Sequence, residues 1–218
     1  MEHPTSFPAS RRRFLQWSAA LPAALVAHSA LNSTGAGLAR AAVAQPASRK
    51  IPIGIELYSV RGEMNKDLPG TLRRIAKMGY EVVEFYSPYF QWKFPFAKDV
   101  RAQLDDLGLR CYSTHNGFAS LTAGETMSRA IELNQILGAR QVILASPPPN
   151  TRTGEDWKRV CGLLTTAVET LKSHGLTCGF HNHRVEWAKA EGGQRLMDII
   201  ATNTPPEFVL QLDVGTCL

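Results

Sequence analysis

Between Gly179 and Trp187 the chain reads Gly-Phe-His-Asn-His-Arg-Val-Glu-Trp. Leu176, Cys178 and Phe180 make its start an apolar strand, and successive strand side chains point to opposite faces. His181 and His183 therefore share one face, with Glu186 just beyond. Two imidazoles and a carboxylate at one strand end can ligate a metal ion or move protons. The same two histidines could equally be a hydrogen-bonded structural pair.

A repeated unit is what would position them. Ile51–Tyr58, Val82–Phe85, Leu109–Ser113, Gln141–Ala145, Leu176–Phe180 and Phe208–Asp213 read as strands. Amphipathic segments lie between them, and Gly79, Gly108, Gly138 and Gly175 stand where a helix C-terminus needs a left-handed residue. The clearest helix carries Trp157, Val160, Cys161, Leu164, Val168 and Leu171 as one apolar stripe; another is expected over Gln194–Ala201. Alternating β and α segments imply a parallel sheet with right-handed crossovers. No glycine-rich dinucleotide fingerprint follows the first strand, which argues against a doubly wound sheet. The fold class expected is α/β, a (β/α)8 TIM barrel truncated after its sixth strand, because little follows Asp213 and such barrels average about 250 residues.

In a barrel, the alternating face of each strand gathers ionisable residues at one rim. Glu56 and Tyr58, Glu84 and Tyr86, then Cys111, Ser113 and His115 fall on that face, followed by His181, His183, Gln211 and Asp213. Barrel enzymes place their active sites at the C-terminal ends of the strands. Several strands converging on one rim is more specific than any single residue. Tyr86, Tyr89, Phe90, Trp92, Phe94 and Phe96 crowd the loop after the second strand. They could stack on a ligand's ring at the mouth, or pack on themselves or on a partner subunit.

The 218 residues are 44% hydrophobic and 20% charged, an ordinary globular composition. Ser10-Arg-Arg-Arg-Phe-Leu15, an alanine-rich apolar run and Ala42-Val-Ala44 read as a twin-arginine signal peptide over residues 1–44, with a linker over 45–50. The expected location is therefore the periplasm, reached through the twin-arginine export machinery. The formal net charge of +5 falls to about +2 without this leader, which gives no case for a nucleic-acid partner. Cys111, Cys161, Cys178 and Cys217 form no C-x-x-C pair and read as buried thiols.

Gly54-Ile-Glu-Leu-Tyr-Ser-Val-Arg61, Gly79-Tyr-Glu-Val-Val-Glu-Phe85, Ser113-Thr-His115, Glu155-Asp-Trp157, Gly179-Phe-His-Asn-His183 with Glu186, and Leu212-Asp-Val-Gly215 occur in order. Over residues 51–218 this pattern resembles the sugar phosphate isomerase/epimerase proteins of the xylose isomerase-like TIM-barrel superfamily. The resemblance implies a divalent metal (Mn, Mg, Zn or Co), held here by Asp213 and a fifth-strand ligand, His181, where a Glu is more common. His183 or Glu186 could take that place instead. By their place at the rim, Glu84, His115, His183 and Glu186 are expected as acid–base residues and Glu56, Tyr58 and Trp92 as substrate contacts, with the base left open among Glu56, Glu84 and the histidines.

The expected reaction is isomerisation or epimerisation of a sugar or keto-sugar, by proton abstraction next to a carbonyl through an enediolate. A keto-sugar lyase or dehydratase, an apurinic endonuclease-like phosphodiesterase and an inactive barrel fragment are the alternatives. The half-barrel also leaves room for a homo-oligomer.

Overall fold

The computed structural model describes residues 51–217. The signal peptide expected over 1–44 and the linker over 45–50 lie outside them. Six strands, β1 (Gly54–Glu56), β2 (Val82–Phe85), β3 (Arg110–Asn116), β4 (Gln141–Leu144), β5 (Thr177–His181) and β6 (Val209–Gln211), form one sheet in sequence order. Every neighbouring pair is parallel. The crossovers carry helices α1 (Arg61–Lys66), α2 (Leu68–Lys77), α3 (Phe94–Asp106), α4 (Glu125–Leu137), α5 (Gly154–Lys172) and α6 (Leu196–Thr202).

Local chemistry sets the boundaries. α5 opens on a capping box in which the Thr153 side chain and Asp156 satisfy each other's backbone N–H groups. α4 ends at Gly138, whose φ of 77° is left-handed, and Gly175 (φ 72°) turns the chain from α5 into β5. Trp157, Val160, Cys161, Leu164, Val168 and Leu171 are buried as the helical stripe requires. Trp157 packs edge-on against Phe180 at 5.1 Å. This contact anchors the histidine-bearing strand from outside, and Trp157→Ala would cost about 3–5 kcal/mol.

The sheet curls into a barrel wall. β2 and β6 stand four strand spacings apart, about 19 Å on a flat sheet. Yet Gln211 at the end of β6 donates to Glu84 of β2 at 2.6 Å. Only a closed curvature brings those side chains together. Gly179 lies inside that curve, where a Cβ would collide with the Val209 carbonyl oxygen. The architecture is the parallel (β/α) barrel expected, with six strands among the described residues.

Several boundaries differ from expectation. β1 covers only Gly54–Glu56, because Glu56 Oε1 accepts the Tyr58 N–H at 2.9 Å and starts a 3-10 turn over Leu57–Val60. β3 runs on to Asn116 and bulges: Val83 pairs with Cys111, but Glu84 pairs with Ser113. The extra residue puts Cys111 in the core among Leu104, Leu133 and Leu137, on the side away from the one it was expected to share with His115. α6 starts at Leu196, after an antiparallel bridge between Lys189 and Arg195.

Candidate active site

Glu56, Glu84, His115, His181, His183, Gln211 and Asp213 line one cavity of about 1000 Å³, with Tyr58 and Tyr86 at its wall. That volume suits a small-molecule site. The cavity lies at the C-terminal strand ends, as the alternating face requires.

At its floor is a connected polar network. Glu84 is 8% exposed, and its Oε2 accepts Ser113 Oγ at 2.5 Å and Gln211 Nε2 at 2.6 Å. Its Oε1 is in close ion-pair contact with His115 Nε2. Gln211 Oε1 lies 2.8 Å from His115 Nε2 and 2.9 Å from His181 Nδ1. His115 and His181 stack at a tilt with centroids 4.7 Å apart, and His183 follows at 5.2 Å from His181. The other nitrogen of each inner histidine looks toward a carboxylate. His115 Nδ1 is 3.9 Å from Glu56 Oε1, and His181 Nε2 is 3.9 Å from Asp213 Oδ2.

This arrangement separates the affinities of like groups for protons. Burial alone would raise Glu84, but the hydrogen bond and charge of His115, with Ser113 and Gln211, bring it below its ordinary value. Burial pushes His115 down, and the Glu84 contact more than reverses that, so the imidazole is held above its ordinary value. His181 is lowered by burial and by the neighbouring His115 charge. Glu56 is raised, chiefly by burial. Two carboxylates and two imidazoles driven apart in this way are the pattern of an acid–base site. Glu84 is the more tightly held carboxylate of the pair, with two hydrogen bonds on Oε2 and the His115 ring against Oε1. Glu56 keeps an oxygen, Oε2, with no hydrogen-bond partner among the described residues.

The remaining expected residues fall into two groups. His183 and Asp213 line the cavity, each fixed from behind. Glu186 Oε2 accepts the His183 N–H at 2.6 Å, while the His183 side chain accepts the Glu186 N–H. Asn182 is fully buried; its Oδ1 accepts the Asp213 N–H at 2.8 Å and its Nδ2 donates to Thr216 Oγ1 at 3.0 Å. The histidine pair therefore brackets an asparagine that ties down the end of β6.

Glu186 and Trp92 are not brought to the cavity lining. Glu186 is fully buried and acts as a turn cap, with its carboxyl raised by burial. Trp92 packs edge-on against Phe85 at 5.1 Å and Phe96 at 5.3 Å, and its carbonyl accepts Arg129 Nη2 at 2.6 Å. The aromatic loop thus binds α3 and α4 to the sheet. The aromatic at the mouth is Tyr58, 53% exposed, edge-on to Tyr86 at 5.7 Å and under the Arg61 guanidinium at 4.2 Å. Ser113, Asn182 and Gln211 are the site residues given no role by the sequence. Their signal, a polar residue on a strand in an apolar setting, identifies no partner by itself.

The two donors here with the chemistry for a divalent ion are His181 Nε2 and Asp213 Oδ2. Ligand bonds of about 2.0–2.2 Å reach a point between donors 3.9 Å apart, and an imidazole with a carboxylate suits such an ion. No group of three His, Cys, Asp or Glu side chains converges as a ligand set among the described residues. The thiols do not contribute: Cys111, Cys161 and Cys178 are free and buried, and burial pushes Cys111 and Cys178 up to about 12.

No curated protein matches the chain. Among solved structures, a sugar phosphate isomerase/epimerase from Parabacteroides distasonis superposes with a TM-score of 0.63 at 26% identity, covering 75% of this chain and 65% of that one. This chain thus spans just under two thirds of that relative's length. A second sugar phosphate isomerase/epimerase from the same organism gives 0.58 at 22% identity, over 72% and 68%. An AP endonuclease, family 2, from Brucella melitensis gives 0.56 at 16% identity, over 75% and 69%. The last two likenesses bear on the fold alone. The model of the family described as xylose isomerase-like TIM barrel matches residues 72–218, and the chain belongs to that family.

Proposed function

We propose that the chain acts on a sugar or keto-sugar as an isomerase or epimerase, moving a proton next to a carbonyl through an enediolate. One observation carries this reading. Glu56, raised chiefly by burial and with an oxygen unoccupied, stands 3.9 Å from Nδ1 of His115, whose imidazole Glu84 lifts above its ordinary value. The Glu56 carboxylate takes the proton from the carbon next to the carbonyl, and the C–H electron pair becomes the enediolate double bond. His115 Nδ1–H donates to the carbonyl oxygen as charge builds there. Return of the proton to the neighbouring carbon isomerises the sugar, and return to the opposite face epimerises it. Ser113 and Gln211 help to lower Glu84, and Glu84 raises His115 toward the charged form.

A divalent ion held by His181 Nε2 and Asp213 Oδ2 would supply Lewis-acid polarisation of the substrate oxygens when bound. Metal affinity measured by calorimetry should be lost in Asp213→Ala. Tyr58, exposed at the mouth, offers an aromatic face to the sugar ring. Export through the twin-arginine machinery to the periplasm belongs to the same proposal, on the strength of Arg11-Arg-Arg13 before Phe14-Leu15. N-terminal sequencing of the mature protein should begin near Gln45; a start at Met1 contradicts it.

The test is hydrogen exchange. Sugars and keto-sugars incubated with the chain in deuterium oxide should gain deuterium next to the carbonyl. Glu56→Gln should slow that gain by about 10²- to 10⁴-fold. An unchanged rate in Glu56→Gln contradicts the assignment. Release of a dehydrated product in place of exchange identifies the lyase.

A further inference from the structure

We propose that Gln211 is a positioning residue that fixes the proton of His181 on Nδ1, leaving Nε2 as the lone-pair atom that faces Asp213. The consequence for catalysis rests on the function proposed above; the proton placement itself does not.

A glutamine side chain has a nitrogen that only donates and an oxygen that only accepts, and a carboxylate only accepts. One end of Gln211 lies 2.6 Å from Glu84 Oε2. That carboxylate is ionised by its setting: Ser113 Oγ donates to the same oxygen at 2.5 Å, and His115 Nε2 abuts the other. The end of Gln211 facing Glu84 is therefore the NH2. Turning the amide over would press oxygen against oxygen at hydrogen-bond distance, and would aim an N–H at the N–H of His115 Nε2, 2.8 Å away.

The oxygen of Gln211 consequently faces the histidines. It has two lone pairs and two ring nitrogens near them, His115 Nε2 at 2.8 Å and His181 Nδ1 at 2.9 Å. Each must bring a hydrogen, or a lone pair would face a lone pair in a half-buried site. His181 is thereby the Nδ1–H form. Its lone pair sits on Nε2, 3.9 Å from Asp213 Oδ2. That atom can accept a proton or a cation. With the hydrogen on Nε2, as imidazole prefers in water, it could do neither. Gln211 touches no reacting atom in this scheme and acts through His181 and Glu84.

Histidine ring ¹⁵N spectra of the full chain at neutral pH test this without substrate or metal. The expected spectrum shows His181 with a protonated Nδ1 and a pyridine-like Nε2. Gln211→Leu, which keeps the bulk and removes both the acceptor and the donor, should move the proton to Nε2. A proton on Nε2 of His181 in the unaltered chain overturns the proposal, as does an unchanged Nδ1–H signal in folded Gln211→Leu. The reading on the unaltered chain needs no variant, so misfolding of Gln211→Leu leaves the test standing. Failure here would leave deuterium exchange through Glu56 intact, and failure of that exchange would leave the His181 proton where Gln211 puts it.

Discussion

On its outer face β3 presents Thr114 and Asn116, which join Tyr89 and Asn134 of α4; on its inner face it presents Ser113 and His115, which join Glu84 and Gln211. The outer network is neutral and closed. Thr114 Oγ1 donates to Asn134 Oδ1 at 2.7 Å, Asn134 Nδ2 donates to the Tyr89 hydroxyl at 3.0 Å, and that hydroxyl donates to Asn116 Oδ1 at 2.6 Å. Burial pushes Tyr89 up to about 12, so no member titrates near neutrality. The inner network contains a carboxylate and an imidazole that stabilise each other's charge, and it opens onto the cavity. Both use buried polar side chains on one strand. The outer one has its bonding capacity spent internally and holds α4 to the sheet; the inner one keeps Glu56 and two imidazole nitrogens for something else.

The largest break in this contrast comes from the outer side. Asn134→Ala leaves the hydroxyls of Thr114 and Tyr89 short of partners in a fully buried setting. It should lower stability by about 3 kcal/mol in urea unfolding. Exchange activity per folded molecule should stay the same. A large loss of activity with intact folding would show that the two networks are coupled.

Ser113→Ala is the smaller, inner counterpart, expected to cost about 1 kcal/mol at neutral pH. Its pH dependence is distinctive. Glu84 is depressed in the folded chain, so its contribution is present above the unfolded carboxyl value of about 4.3 and fades as the pH falls through the folded value. Removing the Ser113 donor raises that folded value and shrinks the contribution. The stability gap between Ser113→Ala and the unaltered chain should therefore close in acid. A gap that is constant with pH would mean that Ser113 contributes packing and not charge stabilisation.

The inner network was half legible in the sequence, and the outer one hardly at all. Period-two alternation at strand ends places Glu56, Glu84, His115, His181 and Asp213 on one rim, because strand geometry alone decides which face a side chain takes. Alternation cannot count through a bulge, so it put Cys111 with His115, whereas the extra residue in β3 turns Cys111 outward. Gln211 was visible on the right face, but its role depends on strands β2, β3 and β5 curling toward it. Glu186 is taken up by a turn cap, and Trp92 by ring contacts with Phe85 of β2 and Phe96 of α3. Asn134 gives no signal, since one asparagine within an apolar helix face identifies no partner four elements away.

The contrast rests on one charge state, that of His115. Its ring is held above the ordinary imidazole value of 6.5 against the opposing effect of burial, by Glu84 first. The contribution of the His115 charge is then present below pH 6.5 while Glu84 stays ionised, and is lost as the pH rises through the folded value of His115. Ring-proton NMR titration of His115 is the direct measurement. A midpoint above 6.5 that falls below it in Glu84→Gln is the expected result. A midpoint below 6.5 in the unaltered chain would mean that Glu84 does not hold the proton on His115, and would contradict the acid–base site proposed here.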